Sequence, residues 1–121
     1  MSKTLLIVDD STVMRMTVNT ILKDEGYTVI EAENGQVALD KALTTPVDLI
    51  ICDVNMPVMD GLTFASLIKT QAQYRFVPII MLTTVTGQAE MDAGKAAGVK
   101  AWMVKPFDKV KLLGAVAKLL G

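Results

Sequence analysis

Five short apolar runs punctuate this sequence, and a stretch with helical spacing follows each of them. The runs are Thr4–Val8 (TLLIV), Thr28–Ala32 (TVIEA), Leu49–Cys52 (LIIC), residues 79–82 (IIML) and Ala101–Val104 (AWMV). Four or five residues are too few for a helix, and most of the runs are too evenly apolar for a strand with one wet face. They suit strands buried on both faces of a parallel sheet. Behind the first run, Met14, Val18, Ile21 and Leu22 share one helix face while Arg15, Asn19 and Lys23 point away, and Gly26 is a natural stop. Further helices are predicted at 35–43, where Val37, Ala38 and Ala42 share a face, at 61–71, at 88–97 and at 108–120. In the last, Asp108 is the expected N-cap, with Val110, Leu113, Val116 and Leu120 turned inward. Strand and helix alternating five times describe a (βα)5 chain of α/β class. Its five-stranded parallel sheet is doubly wound, with helices on both faces and right-handed crossovers. Residues 1–121 read as one domain of ordinary size with no output domain.

In such sheets ligands bind beyond the carboxyl ends of the strands, where strand order reverses. The residues that follow each run therefore carry the functional reading. Asp9 and Asp10 follow the first, Asp53 and Asn55 the third, Thr83 and Thr84 the fourth, Lys105 and Pro106 the fifth. Glu33, Asn34 and Gly35, after the second, read as a plain turn. One aspartate after a strand is usually a turn or cap residue. Three at two strand ends, with a threonine and a lysine at two more, need another account, because clustered carboxylates repel one another. A cation is the usual remedy, and magnesium takes one or two carboxylates, several waters and phosphate oxygens. A carboxylate can also accept a phosphoryl group as an acyl phosphate, leaving the protein mainly positioning and charge neutralisation to supply. In that chemistry Mg2+ and the Lys105 ammonium would offset the phosphoryl oxygens, and the Thr83 hydroxyl would donate to one of them.

Composition narrows the alternatives. The sequence has no histidine, which removes Ser-His-Asp and Cys-His catalysis and histidine-based zinc sites. A formal net charge of −1 argues against a dedicated nucleic-acid or membrane-surface binder. One cysteine, Cys52, permits no intramolecular disulfide and, inside an apolar run, fits a reducing compartment. The apolar stretch after Met1-Ser2-Lys3 ends at Asp9, too soon for a signal peptide, and no run is long enough to span a membrane. A cytoplasmic location is expected.

The segments LLIVDDS, IICDVNMPVMDG, PIIMLTT and WMVKPF, spread in this order over nearly the whole chain, resemble the response-regulator receiver domain, and within it the single-domain chemotaxis regulators. The resemblance implies a flavodoxin-like sheet of strand order 2-1-3-4-5. It makes Asp53 the phosphoacceptor. Magnesium would be bound by Asp10, Asp53 and the backbone carbonyl of Asn55, with Asp9 holding a metal-bound water. Lys105 would be the phosphate-binding lysine, followed by a cis bond to Pro106. Thr83 would be the switch hydroxyl, and Trp102 stands where the family has its switch aromatic, usually Tyr or Phe. On phosphorylation Thr83 would move toward Asp53, and the indole would turn inward into the space left beside the fifth strand. The implied partners are a histidine kinase as donor, a flagellar motor switch protein or other output protein, and a phosphatase; the chain itself is expected to be monomeric. Two residues depart from the pattern: Thr84 replaces a common Ala, and Val85 a residue often polar in the chemotaxis proteins.

Three functions compete on these residues. The first is a phospho-switch that binds a partner, with a phosphorelay carrier or phosphate sink as its variant; it is not an enzyme apart from its own phosphorylation and autodephosphorylation. The second is a magnesium-dependent aspartate-nucleophile phosphatase of the haloacid-dehalogenase type, which usually has Asp where this chain has Asn55. The third is a DNA-binding regulator whose output domain lies elsewhere. The first is favoured. Plainer readings account for other features: Met81 as core, Cys52 as a buried strand residue, and Lys109, Lys111 and Lys118 as a solvated helix face. The stretch TTVTGQ, with its faint likeness to the phosphate loop of flavodoxins, is discounted because it follows the fourth strand and not the first.

Overall fold

The computed structural model describes residues 3–121; Met1 and Ser2, the head of the segment read as too short for a signal, lie outside the described residues. Strands β1 (Thr4–Val8), β2 (Thr28–Ala32), β3 (Leu49–Cys52), β4 (Ile79–Thr83) and β5 (Ala101–Val104) alternate with helices α1 (Thr12–Asp24), α2 (Gly35–Thr44), α3 (Gly61–Ile68), α4 (Gln88–Ala96) and α5 (Lys109–Leu120). Every pairing is parallel and the sheet order is β2-β1-β3-β4-β5, the order the resemblance implied. Order reverses between β1 and β3, so the loops after these two strands flank the crevice where such sheets bind ligands.

Successive side chains of a strand point to opposite faces, and here both faces are apolar. Leu5 and Ile7 of β1 join Leu49, Ile51, Ile80 and Leu82 under α1 and α5, which contribute Val18, Leu22, Leu112 and Val116. Leu6 and Val8 join Ile50, Cys52, Ile79 and Met81 on the opposite face, packed with Ala38, Ala42, Phe64 and Ile68 of α2 and α3. Met81 and Cys52 are fully buried, as the plainer reading of each required. Among the described residues no helix is long and apolar enough to cross a membrane.

Side-chain caps define the start of four helices. The Ser11 hydroxyl accepts from the Met14 amide at 3.2 Å, Asn34 from Val37 at 2.9 Å, Asp60 from Thr63 at 2.8 Å, and Asp108 from Val110 and Lys111 at 2.8 and 3.1 Å. Asn34 is thus a helix cap and more than a plain turn residue. Helix α4 has Gly87 at its N-cap position and so no side-chain cap.

Three expectations about elements need correction. The helix predicted at 61–71 stops at Ile68 and is followed by a short 3-10 turn, Ala72–Tyr74. The chain leaves the helix to bury Tyr74, whose hydroxyl donates to the Ala42 carbonyl at 2.5 Å and accepts from the Val47 amide at 3.3 Å. Val110 of α5 faces solvent, 77% exposed; the other three expected inward residues hold, with Val116 buried and Leu113 and Leu120 packed on the core, and Leu112 joins them. The polar face of α1 does not point to open solvent throughout: Arg15 forms an ion pair with Glu31 of β2 at 3.2 Å, and Asn19 donates to the other oxygen of the same carboxylate.

Candidate functional site

The carboxyl ends of β1 and β3 deliver three aspartates to one place. Carboxylate oxygens of Asp9, Asp10 and Asp53 all lie within 4.8 Å of one another; Asp9 and Asp53 are buried and Asp10 is exposed. Each buried carboxylate is fixed at both oxygens. Asp53 accepts from the Val54 amide at 2.7 Å through Oδ1, and from Lys105 Nζ at 2.8 Å through Oδ2. Asp9 accepts from the Ser11 amide at 2.8 Å through Oδ1, and from the same Lys105 ammonium at 2.7 Å through Oδ2. The lysine enters from the end of β5, beside a cis Lys105–Pro106 bond. Burial alone would lower its pKa, but hydrogen bonds to Asp53 and Asp9, aided by their charges, outweigh it and the net shift is upward. Cys52, one residue before Asp53, is pushed well up by burial and by the charges of Asp53 and Asp9, which keeps it a thiol.

The loop after β3 is tightly made. The Gly61 amide donates to the Val54 carbonyl at 2.7 Å, and a Cβ on Gly61 would stand 1.9 Å from the Asp53 carbonyl oxygen, so only glycine lets α3 start this close to the acceptor aspartate. Between them Val58 takes a left-handed φ of 70°, with the Met59 amide donating back to the Pro57 carbonyl at 2.7 Å. A β-branched residue is strained there. Met59 in turn holds α2: its carbonyl accepts from the Gly35 amide at 3.0 Å. Asn55 lies exposed on this loop, two residues beyond Asp53.

Thr83 is the last residue of β4 and is fully buried, while Thr84 is exposed. The Thr83 hydroxyl accepts from the Val85 amide at 3.2 Å, and the Val85 carbonyl accepts from the Trp102 indole N–H at 2.8 Å. Val85, expected only as a departure from a pattern, thus bonds through its backbone to both the threonine and the tryptophan side chains. The indole ring is partly buried. It lies against Gly94 of α4, where a Cβ would come within 2.8 Å of Cζ3.

Sequence reasoning named Asp9, Asp10, Asp53, Asn55, Thr83, Trp102, Lys105 and Pro106. The structure brings the three aspartates and Lys105 into direct contact or near contact, and links Thr83 to Trp102 through Val85. It adds Arg15, whose guanidinium donates to the Asp9 carbonyl, and Gly61 and Gly94, which matter through the side chain they lack. A glycine inside a helical pattern was the available signal for Gly94; nothing in the local sequence marked Arg15.

Fold and site define a class: a doubly wound α/β protein with an acidic, lysine-bridged centre at the carboxyl edge of its sheet. Residues 5–117 match the response regulator receiver domain, and the chain belongs to that family. It is 40% identical over 122 residues to the chemotaxis protein CheY of Bacillus subtilis, covering 99% of each chain. It superposes on the chemotaxis protein CheY4 of Vibrio cholerae with a TM-score of 0.94 and 44% identity, covering 98% of this chain and 99% of that one. The receiver domain of a sensor histidine kinase from Pseudomonas aeruginosa, solved with a magnesium ion in its active-site cleft, is 29% identical with a TM-score of 0.92, over 100% of this chain and 99% of that one.

Proposed function

We propose that this protein is a two-component phospho-switch that accepts a phosphoryl group from a histidine kinase onto Asp53 and then binds an output protein. The carrying observation is the Asp53 carboxylate, 2.8 Å from Lys105 Nζ, inside a cluster of three carboxylates whose oxygens lie within 4.8 Å. Hard oxygen donors in this number suit magnesium. Asp9, Asp10, Asp53 and the Asn55 backbone carbonyl would hold it, and when bound it would neutralise charge on the phosphoryl oxygens.

The protein's own groups supply the rest. A carboxylate oxygen of Asp53 forms a bond to phosphorus as the P–N bond of the donor phosphohistidine breaks; the released imidazole keeps the electron pair and takes a proton. Lys105 already sits where the new negative charge develops, so no reorganisation is needed to meet it. Later attack by water on phosphorus regenerates the carboxylate and releases inorganic phosphate. The Thr83 hydroxyl is freed from the Val85 amide when it donates to a phosphoryl oxygen, and Val85 carries that change to Trp102. Output would be read at a groove of about 210 Å³ lined by Gln88, Met91, Asp92, Lys95, Val99 and Trp102. Similarity to chemotaxis proteins supports a flagellar motor switch protein as the partner and the cytoplasm as the location.

Acetyl phosphate, or a phosphorylated kinase, should label the protein once in the presence of Mg2+. Asp53→Asn should abolish the label, because an amide is a poor nucleophile. Label retained in that variant, or found on a serine, a threonine or another aspartate, would overturn the assignment.

A further inference from the structure

We infer that Arg15 is a positioning residue for the magnesium site, acting through the peptide that joins Asp9 to Asp10. This rests on reading the acidic cluster as a magnesium site. Arg15 lies on α1, and its side chain is only 14% exposed. One arm of the guanidinium donates to the Asp9 carbonyl, which belongs to the Asp9–Asp10 peptide. The Nε donates to Glu31 at 3.2 Å, and the remaining arm reaches the Thr12 hydroxyl at 3.4 Å. Glu31 is itself immobilised: Asn19 donates to its second carboxylate oxygen, and the Lys41 ammonium donates to its backbone carbonyl at 2.5 Å. The fork thus ties the corner after β1 to β2.

The other polar atoms of Asp9 are also held. Its amide donates to the Ala32 carbonyl at 3.1 Å, and its carboxylate is held by Ser11 and Lys105. Asp10, in contrast, is exposed, and the direction of its side chain follows from the plane of the peptide before it. Arg15 fixes that plane. Magnesium demands near-ideal octahedral geometry, so a small rotation of one ligand is costly. Groups that orient metal ligands commonly account for ten-fold or more of the affinity. Arginine suits the task better than lysine because its planar fork can hold the carbonyl and the carboxylate together.

Position and charge make opposite demands here, which makes the test decisive. Arg15→Gln removes a positive charge near the cation, and Glu31→Gln removes a negative one. If charge alone acted, the first would tighten Mg2+ binding and the second weaken it. If the fork sets the geometry, both weaken it. The dissociation constant for Mg2+ is measured by titration calorimetry on the full chain, at a temperature where melting curves show each variant folded. Both glutamine variants should bind about ten-fold more weakly. Arg15→Lys keeps the charge and loses the fork, and it should bind more weakly than the wild type; it carries the test with Glu31→Gln if Arg15→Gln does not fold. Opposite shifts in the two glutamine variants, or wild-type affinity in either of them or in Arg15→Lys, would overturn the inference. Absence of Mg2+ binding by the wild type would instead overturn the site reading beneath it.

Discussion

At the scale of single residues the site is organised around one cation, Lys105, which bridges Asp9 and Asp53 at 2.7 and 2.8 Å. Burial works against its charge, but the hydrogen bonds to Asp53 and Asp9 prevail and its pKa is raised on folding. A group with a raised folded pKa contributes its stability while protonated: fully below the unfolded value near ~10.4, and no longer once pH has climbed through the folded value. The stability difference between wild type and Lys105→Gln in metal-free buffer should therefore hold steady from neutral pH to about 10, then shrink. Urea denaturation at a series of pH values measures it, and a decline already complete by about pH 9 would show that another group is responsible. Asp53, Thr83 and Lys105 were legible in the sequence because strand ends in a parallel sheet converge, so residue type plus position was enough. Val58 was not. Its φ of 70° is imposed by the loop that holds Met59 against Gly35, a tertiary demand that overrides the preference of a β-branched residue.

At the scale of elements, α4 is where local preference and packing conflict. Gly94 sits inside this helix, where glycine costs about 0.8–1.0 kcal/mol relative to alanine. The indole of Trp102 explains it, since a Cβ there would meet the ring at 2.8 Å. Gly94→Ala should destabilise the protein by about 1–3 kcal/mol through overpacking, and should expose the indole to a soluble fluorescence quencher. In a Trp102→Ala background the same change should stabilise by roughly 0.5–1 kcal/mol, because only propensity remains. A double-mutant cycle from denaturation midpoints checks the reversal; equal effects in both backgrounds would mean that the two residues do not interact. Strand positions were legible because fully apolar runs have few other uses. Val110 of α5 was misread because apolar spacing does not tell which turn of a helix lies over the sheet: Leu113, Val116 and Leu120 pack on the core as expected, whereas Val110, in the first turn after the Asp108 cap, is exposed. The shortened α3 went unseen for a different reason: it depends on Tyr74 reaching Ala42 and Val47, contacts between distant parts of the chain.

At the scale of the whole molecule, one sheet separates two cores, and the hydrogen bonds that join Thr83 through Val85 to Trp102, the route proposed for the signal, lie on the α4 side. The α1 and α5 core can stay fixed while that side shifts. Phosphorylation can bias such a two-state equilibrium only by its preference for one state, and partner binding must be coupled to it reciprocally, typically by about 1–3 kcal/mol. Thr83→Ala should still accept the phosphoryl group, yet lose most of this coupling. Partner affinity with and without beryllofluoride, for wild type and variant, checks it; an equal gain in both would send the signal by another route. The uncapped start of α4 then acquires a meaning. Its N-cap is Gly87, which offers no side-chain acceptor and leaves the helix roughly a few tenths of a kcal/mol poorer than Ser, Thr, Asn or Asp would. The amides at the head of α4 should exchange with solvent more readily than those of the four helices with side-chain caps, which hydrogen exchange measures. That first turn follows directly on the loop that holds Val85, so a change at the Thr83 hydroxyl would have only a short, lightly fastened segment to move.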